Sequence, residues 1–503
     1  MKALLVYPEY PDTFWSFSYA LKFISKKAAN PPLGLLTVAA MLPPEWEKRL
    51  VDMNVRRLEE EDLYWADYIF LSAMSIQKES VKAVLDRCRR VGVKVVAGGP
   101  LFTQDREEFC DVDYLVLDEA EITLPPFLRD LEEGRAHHVY TSDNKWADVS
   151  ATPLPLWDLI NMKYYASMNV QYSRGCPFYC EFCNITSLYG RVPRTKTADQ
   201  VIAELEKLYT LGWRGGVFFV DDNFIGNKMK LRAEILPSII RWMEQRNYPF
   251  SLFTEASINL ADDEELMRMM VQVQFDSVFV GIESPNEESL QECAKIPNKN
   301  RDLIASVRKI QSFGIEVQAG FIVGFDKDPV SIFERMIEFI QESRIATAMV
   351  GLLNAPRGTK LYNRLLGENR LLKSTTGDNT DLSMNFVPKM SYEGLITGYK
   401  KIIETIYSPK HYYGRVKQFL RDYRPMQKKV FHARWNYLKA GLKSVFILGI
   451  IGRERFYYWR LFFWSLFRRP TLFPLAITLS IYGYHFRKVF ERHFRMIERK
   501  GLT

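Results

Sequence analysis

Cysteine and histidine are both scarce in this chain, with six of each among 503 residues. So few cysteines exclude the dense disulfide framework of a small secreted domain. Long apolar runs are also missing, because the apolar stretches Ser444–Ile451 and Thr471–Tyr484 are too short to span a bilayer of roughly 30 Å. The first residues, MKALLVYP, predict a short buried strand rather than a signal peptide. We therefore expect a reducing, cytoplasmic setting.

Three of the six cysteines lie close together, in the run SRGCPFYCEFC. Cys176, Cys180 and Cys183 have the spacing C-x3-C-x2-C, which places three thiols on one tight loop. Iron–sulfur clusters normally have four cysteine ligands. No fourth cysteine follows nearby, so a [4Fe–4S] cluster here would keep one iron open to a ligand, as catalytic metal sites do. Zinc is the alternative, but it usually takes four ligands in C-x2-C pairs, and no second pair exists.

Residues 1–140 alternate short apolar strands with amphipathic helices. This rhythm predicts a doubly wound parallel sheet, on which ligands bind beyond the carboxyl ends of the strands. Small residues follow several predicted strands and would let a large flat ligand approach the backbone. The residues that we assign to such a ligand are Ser72, Ser75, Gly98, Gly99 and Glu119.

A segment rich in proline and polar residues, 141–165, is predicted to link this sheet to a second α/β region at 166–370. Six strand–helix units recur there, which predicts a partial TIM-like (β/α)6 barrel with its chemistry at the carboxyl ends of the strands. The first predicted strand, Val170–Ser173, leads into the cysteine loop. Candidate site residues follow the later strands: Asp222, Asn223, Glu255, Ser257, Glu283, Ser284 and Gly324.

Charge is unevenly distributed along the chain. From Phe386 onward Lys and Arg number 24 against 6 Asp and Glu, whereas the preceding part has 44 against 54. In residues 431–503 the basic residues are interleaved with aromatic ones, which predicts helices lying in the headgroup layer of an anionic membrane. The alternative is a buried helical subdomain with a solvated basic face. Nucleic acid is a less favoured partner, because the aromatic residues form apolar runs rather than spaced stacking platforms.

The cysteine loop closely resembles the signature loop of the radical S-adenosylmethionine (SAM) superfamily. Residues 1–140 resemble the cobalamin-binding domain of cobalamin-dependent radical enzymes. The phrases FFVDDNFIGNK, TEASINLADD and GFIVGFD are similar to a subgroup related to hopanoid methylases, as is a C-terminal extension at 371–430 that contains Asn379. The resemblance implies a [4Fe–4S] cluster on the three cysteines, with SAM and cobalamin as further cofactors. It also implies a reductant such as flavodoxin or ferredoxin.

The same resemblance implies roles for the strand-end residues. Asp222, followed by Asn223, would hold the amino group of SAM, and Gly324 lies in the strand that runs along its adenine. The pairs Glu255 with Ser257 and Glu283 with Ser284 would contact its ribose and methionine parts. Because no histidine precedes His137, cobalamin would bind without a histidine below the cobalt. A Rossmann-like scaffold with nothing bound is the alternative for this sheet.

The activity that the resemblance implies is radical methylation of an unactivated carbon. A 5′-deoxyadenosyl radical made from SAM would remove a hydrogen, and the substrate radical would take a methyl group from methylcobalamin. Together with the basic, aromatic C-terminal region, this favours a small apolar, lipid- or isoprenoid-like substrate and a location at the inner face of the membrane. The alternatives are C–C coupling or cyclisation of a lipid, RNA modification, and a non-catalytic cobalamin or iron–sulfur sensor.

Overall fold

The computed structural model describes residues 1–372, 375–378, 380–425 and 435–499. Two parallel six-stranded sheets follow one another along the chain, and helices complete the C-terminal part. The predicted α/β class, with a doubly wound sheet, a partial barrel and a helical C-terminal region, is confirmed. Asn379 and the predicted boundary at residues 430 and 431 lie outside the described residues.

The first sheet contains β1 (Lys2–Tyr7), β2 (Glu47–Asp52), β3 (Tyr68–Ser72), β4 (Lys94–Gly98), β5 (Tyr114–Val116) and β6 (Val139–Tyr140). The helices in this part of the chain are α1 (Ser18–Leu21), α2 (Leu33–Met41), α3 (Glu60–Trp65), α4 (Lys78–Val91), α5 (Pro100–Gln104) and α6 (Ala120–Glu132). The strand order is β2-β1-β3-β4-β5-β6. Leu4 and Val6 pack on one face of the sheet and Ala3 and Leu5 on the other, all without exposure. A strand buried on both faces explains why β1 is continuously apolar.

The chain between β1 and α2 leaves the first sheet. Phe14 stacks on Phe486 with ring centroids 4.1 Å apart, and Trp15 Nε1 donates a hydrogen bond to Met349 Sδ at 2.9 Å. This excursion therefore packs in the core of the second sheet and the C-terminal helices. Segment 141–165 is also well packed, since Trp157 has no exposed surface.

The second sheet contains β7 (Ser167–Val170), β10 (Gly216–Phe219), β11 (Ser251–Glu255), β12 (Phe275–Glu283), β13 (Glu316–Val323) and β14 (Ala348–Leu352). A small antiparallel pair, β8 (Ser173–Arg174) and β9 (Arg194–Thr195), flanks the cysteine loop. The helices are α7 (Ile185–Tyr189), α8 (Ala198–Thr210), α9 (Lys228–Lys230), α10 (Leu236–Gln245), α11 (Glu264–Gln272), α12 (Glu287–Glu292), α13 (Leu303–Ser312), α14 (Ile332–Ser343) and α15 (Lys360–Gly367). The six long strands are neighbours in chain order, as in an open barrel.

The first barrel strand differs from the predicted Val170–Ser173, because β7 ends where that prediction began. The backbone amides of Tyr172 and Ser173 donate to the carboxylate of Asp221 instead of continuing the sheet. The chain therefore turns out of the sheet just before the first cysteine.

The C-terminal helices are α16 (Tyr392–Ile406), α17 (Pro409–Asp422), α18 (Trp435–Ser444), α19 (Arg455–Arg468) and α20 (Phe473–Arg499). A π-helical turn, Val445–Ile451, extends α18. Tyr412 Oη donates to the Leu479 carbonyl at 2.6 Å, and His485 Nε2 lies 2.9 Å from the Phe14 carbonyl oxygen. These helices thus share the barrel core. Within the described ranges, no helix combines the length and apolarity needed to cross a membrane.

Candidate active site

The strand-end loops of both sheets border a cavity of about 3190 Å³. The predicted site residues that line it are Ser72, Ser75, Gly98, Gly99, Glu119, Cys183, Asp222, Glu255 and Glu283. The predicted site residues that do not line it are Cys176, Cys180, Asn223, Ser257, Ser284 and Gly324. The structure therefore places loops of the two regions around one space.

Backbone packing shapes the start of the cysteine loop. Gly175 has φ of +93°, and a Cβ atom there would lie 3.0 Å from three carbonyl oxygens, those of Tyr189, Gly190 and Val192. Only glycine combines this left-handed conformation with so little space. The two chain segments of the loop can therefore lie in direct contact.

The middle of the loop is tied to two other elements. The Glu181 amide donates to the Cys293 carbonyl at 2.9 Å, next to α12. The Glu181 carboxylate accepts from Arg364 Nε of α15 at 2.6 Å. The protein's own hydrogen bonds thus fix the position of the loop.

The three loop thiols are largely shielded from water. Burial raises the pKa of Cys176 and Cys180, and raises that of Cys183 to about 12. The positive charge of Lys295 opposes this shift at all three. A metal must therefore displace protons, and soft thiolates with a nearby cation suit an anionic iron–sulfur cluster.

Among the described residues, no three His, Cys, Asp or Glu side chains converge as the ligands of a single metal ion would. A [4Fe–4S] cluster makes a different demand, because each thiolate binds its own iron.

Lys295 is a buried cation that sequence reasoning missed. Its Nζ lies 2.6 Å from Glu283 Oε1, and the two residues form an ion pair at the cavity wall. Burial alone would lower the pKa of Lys295, but the charges of Glu283 and the nearby cysteines raise it overall. Lys295 therefore keeps a positive charge beside the thiols, and Glu283 is already paired.

The adjacent acids Asp221 and Asp222 have different surroundings. Asp221 accepts from Tyr172 N at 3.2 Å and from Ser173 Oγ at 2.5 Å, so it anchors the chain that enters the cysteine loop. Burial raises its pKa to about 7. Asp222 accepts only one long bond, from Gly175 N at 3.4 Å, among the described contacts. Asp222 is therefore the acid with oxygens left for a ligand.

Glu255 is a second carboxyl group on the cavity wall. Burial raises its pKa to about 8, and the neighbouring charge of Asp222 adds to the shift. Burial also raises the pKa of Asp222, to about 6. Both acids would be stabilised in their ionised form by a cationic ligand such as an ammonium group.

Asn223 and Ser257 meet outside the cavity. The Ser257 amide donates to Asn223 Oδ1 at 3.1 Å, and both residues line a separate groove of about 400 Å³ beside Pro177 and Phe178. Ser284 is fully buried and accepts from the Asn286 amide at 3.2 Å. These predicted ligand contacts thus have structural partners in the protein.

Gly324 has a structural partner as well. Its amide donates to Asp328 Oδ2 at 2.8 Å, and its φ of +108° lies in the left-handed region. A glycine at this turn is therefore explained by the backbone conformation.

Close packing also explains the glycines at the edge of the first sheet. A Cβ atom at Gly98 would lie 2.5 Å from the Val116 carbonyl oxygen, and one at Gly99 would lie 2.5 Å from Ser72 Oγ. Gly99 also has φ of +90°. The result is a flat rim of backbone and small side chains, which fits a large planar group such as a corrin ring. None of the described residues that line the cavity is a histidine.

Glu119 joins the first sheet to the cysteine loop. Its Oε1 lies 3.0 Å from Arg174 Nη1, and its Oε2 lies 2.8 Å from Arg194 Nη1. Glu121 binds the other Arg174 nitrogen at 2.7 Å. Burial would raise the pKa of Glu121, but its bonds to Arg174 and Thr152 hold it at about 2.

Sequence reasoning missed Arg174, Arg194 and Glu121. The available signal was charge: an acidic loop, DEAE, follows β5, and an arginine stands two residues before the first cysteine. Because both loops were expected at strand carboxyl ends, opposite charges there pointed to contact between the two regions.

Three family models match the chain. The B12 binding domain matches residues 24–128, the Radical SAM superfamily matches 170–340, and a domain of unknown function (DUF4070) matches 359–499. The predicted resemblance of the first two regions is thereby confirmed.

Curated relatives extend over most of the chain. An uncharacterized methyltransferase of Synechocystis sp. is 42% identical over 97% of this chain and 91% of its own length. Hopanoid C-2 methylase of Rhodopseudomonas palustris is 34% identical, over 81% of this chain and 77% of its own length. Bacteriochlorophyllide d C-12(1)-methyltransferase of Chlorobaculum tepidum is 24% identical, with coverage of 72% and 78%.

Solved structures share the fold. The cobalamin-dependent SAM radical enzyme OxsB, with aqua-cobalamin bound, aligns with a TM-score of 0.62 at 14% identity, covering 100% of this chain and 81% of its own. The radical SAM methyltransferase TsrM of Kitasatospora setae, with cobalamin and a [4Fe–4S] cluster bound, gives a TM-score of 0.56 at 15% identity. That alignment covers 74% of this chain and 79% of the other.

Proposed function

The chain belongs to the cobalamin-dependent radical SAM methyltransferase family, and from that premise we propose that it methylates an unactivated carbon of a small apolar, lipid- or isoprenoid-like molecule. The observation that carries this proposal is the shared cavity. Its wall includes the strand-end loops of both sheets and also apolar residues of the C-terminal helices, among them Leu442, Ile477 and Ile481. A methyl donor, a radical source and an apolar substrate could therefore meet in one space.

The side chains around the cavity divide the binding work in this proposal. Cys176, Cys180 and Cys183 would hold the [4Fe–4S] cluster. Asp222 and Glu255 would pair with the ammonium group of SAM, and this pairing would lower their raised pKa values. When bound, the cofactors supply a 5′-deoxyadenosyl radical and a methyl group.

The remaining predicted site residues divide into those that would touch a cofactor and those that would support the loops. The rim formed by Ser72, Ser75, Gly98 and Gly99 would carry cobalamin, without a histidine ligand below the cobalt. Glu119 would contribute by holding the cysteine loop through Arg174 rather than by touching cobalamin. Asn223, Ser257, Ser284 and Gly324 would support the SAM-binding loops from behind. Their hydrogen bonds lie within the protein.

We also propose that the protein works at the inner face of a membrane and receives electrons from flavodoxin or ferredoxin. An apolar substrate would be available there, and the basic region from Phe386 onward favours an anionic surface. Enclosure of the substrate by the barrel and the C-terminal helices would keep water away from a substrate radical.

The test is product analysis with anaerobically reconstituted protein. SAM carrying a deuterated methyl group, a chemical reductant and a total lipid extract are incubated with the enzyme. We expect deuterium in a lipid, with S-adenosylhomocysteine and 5′-deoxyadenosine formed in equal amounts. 5′-Deoxyadenosine without S-adenosylhomocysteine would favour coupling or cyclisation, and deuterium in added RNA instead of lipid would favour RNA modification. Absence of both nucleosides would contradict an enzymatic role.

A further inference from the structure

Large apolar side chains are exposed along α18 and the π-helical turn that extends it. Leu438, Leu442, Phe446 and Ile450 recur at every fourth position and are 56–64% exposed. Residues four apart lie on the same side of a helix, so these side chains form one stripe. Single exposed apolar residues are common, but an aligned series marks an interaction surface.

The next helix also exposes large apolar side chains. On α19, Phe456, Phe463 and Phe467 are 70%, 49% and 75% exposed. We refer to these three phenylalanines and the four residues of the stripe as the apolar surface. Exposed basic residues surround it: Lys439, Arg453, Arg455, Arg460 and Arg468. Aromatic and aliphatic side chains flanked by arginine and lysine are typical of helices that lie in an anionic headgroup layer.

The apolar surface is also the edge of the active-site cavity. Leu438 and Leu442 line the cavity while more than half of each side chain is exposed, so the cavity opens to the outside beside α18. Lys27 and Pro470, both exposed, also line the cavity. Lys443 Nζ donates to the Lys22 carbonyl at 2.8 Å and so fixes α18 against the chain segment that contains Lys22. We refer to this opening as the mouth.

An apolar wall leads inward from the C-terminal helices to the barrel. Ring centroids are 5.0 Å apart between Tyr482 and Phe17, 6.1 Å between Phe17 and Trp15, and 5.2 Å between Trp15 and Phe279. All four rings line the cavity. Phe279 lies on β12, four residues before Glu283, which also lines the cavity at the carboxyl end of the strand. The rings therefore form a continuous contact path from α20 to the candidate active site.

We propose that the apolar surface binds an anionic lipid bilayer and that the mouth admits the apolar substrate directly from that bilayer. The inference rests on the proposed function and adds the surface that would contact the membrane and the route of the substrate. A molecule that leaves the bilayer at Leu438 and Leu442 would exchange one apolar environment for another. Its apolar surface would then stay out of water along the ring path.

Vesicle binding tests the first half. The double variant Leu438→Asp/Leu442→Asp is compared with Leu366→Asp/Val330→Asp, which changes two exposed apolar residues elsewhere. With vesicles that contain phosphatidylglycerol, we expect at least about a tenfold weaker binding for the first variant and none of this loss for the second. Equal binding by the two variants would overturn the proposal, as would binding of RNA but not vesicles by the unmodified protein.

Photo-crosslinking tests the route. Vesicles carry a lipid with a photoactivatable group near the end of its acyl chain, and labelled residues are mapped by mass spectrometry. We expect label on the mouth and on Trp15, Phe17 or Phe279. Label confined to the outer helices would overturn the route. The route would also be overturned if Leu438→Asp/Leu442→Asp gave the same labelling pattern as the unmodified protein. Neither measurement requires turnover, so a failure of methylation would count against the proposed function and not against the mouth.

Discussion

The two sheets border the same cavity with different kinds of residue. The first sheet presents backbone, glycine and serine, at Ser72, Gly98 and Gly99. The second presents ionisable groups, with Asp222 and Glu255 beside the cysteine loop. The two sheets therefore suit different kinds of ligand. A rim of backbone and small side chains recognises shape, whereas buried acids and thiols recognise charge and soft metals.

Opposite charges join the two edges at one cluster. Glu119 and Glu121 of the first sheet bind Arg174, two residues before the first cysteine. The first sheet, which presents the rim, therefore also fixes the position of the cysteine loop. Altering each edge separately tests whether they have separate roles.

The largest effect is expected from Cys180→Ala. Loss of one of three thiolates should abolish the 4Fe signature and SAM cleavage, because a loop with two ligands holds the cluster poorly. Iron and sulfide content, visible absorption and 5′-deoxyadenosine formation are measured on anaerobic protein. Cys110→Ala is the control, since Cys110 is exposed and lies outside the loop. Retained SAM cleavage in Cys180→Ala would contradict the cluster assignment.

The next largest effect should come from breaking the link between the two edges. Arg174→Met leaves Glu119 and Glu121 buried with fewer partners, and we expect a loss of about 3–5 kcal/mol in the free energy of unfolding. Urea titration followed by tryptophan fluorescence measures it. Lys82→Met removes an exposed pair with Glu79 and should cost less than about 1 kcal/mol. Similar losses in both variants would show that the buried pairs do not join the sheets.

Local patterns in the sequence predict both sheets, because continuous apolar strands alternate with amphipathic helices. The patterns fail where a distant side chain, instead of a neighbouring strand, accepts the backbone hydrogen bonds. Asp221 captures the Tyr172 and Ser173 amides, so the first barrel strand ends three residues earlier than predicted. Strand propensity contains no information about such a distant carboxylate.

The candidate site is predictable where residues follow strands and less so where the fold brings distant segments together. The cysteine loop was assigned from the spacing of its thiols, and Asp222 and Glu255 were assigned from their positions after strands. Lys295, Arg174 and the excursion with Trp15 were not, since their roles depend on partners far away in sequence. The C-terminal helices also share the barrel core, although their composition suggested a peripheral tail.

A smaller effect should come from changing the shape of the rim on the first sheet without changing its charge. Gly99→Ala places a Cβ atom against Ser72 Oγ in the rim, and we expect at least about a tenfold weaker retention of cobalamin with little change in cluster content. Gly92→Ala is the matched control, because Gly92 also has positive φ but open space around it. Both variants carry backbone strain of about 1–3 kcal/mol, but Gly99 has an extended ψ of −179° and Gly92 has a ψ of 20°. The free energy of unfolding is therefore measured for both, and only a loss of cobalamin that exceeds the loss of stability reports on the rim. Corrinoid absorbance per protein measures the outcome, and equal retention by the two variants would argue against cobalamin at this edge.

The smallest effect concerns the pH dependence of SAM binding at the second edge. The pKa of Glu255 is about 8 without ligand, and pairing with an ammonium group would lower it, so SAM affinity should rise with pH as this acid ionises. From pH 7 to 8 the ionised fraction grows about fivefold, and the dissociation constant should fall by about the same factor. Asp222, with a pKa of about 6, is already mostly ionised in this window, and the oxygens of Asp221 are taken by Tyr172 and Ser173. Glu255→Gln should therefore flatten the pH profile. Asp222→Asn should weaken binding and move the rise to lower pH, because the charge of Asp222 contributes to the raised pKa of Glu255. Calorimetric titration with SAM at several pH values measures the dissociation constant. An unchanged slope in Glu255→Gln would show that Glu255 does not pair with the ammonium group.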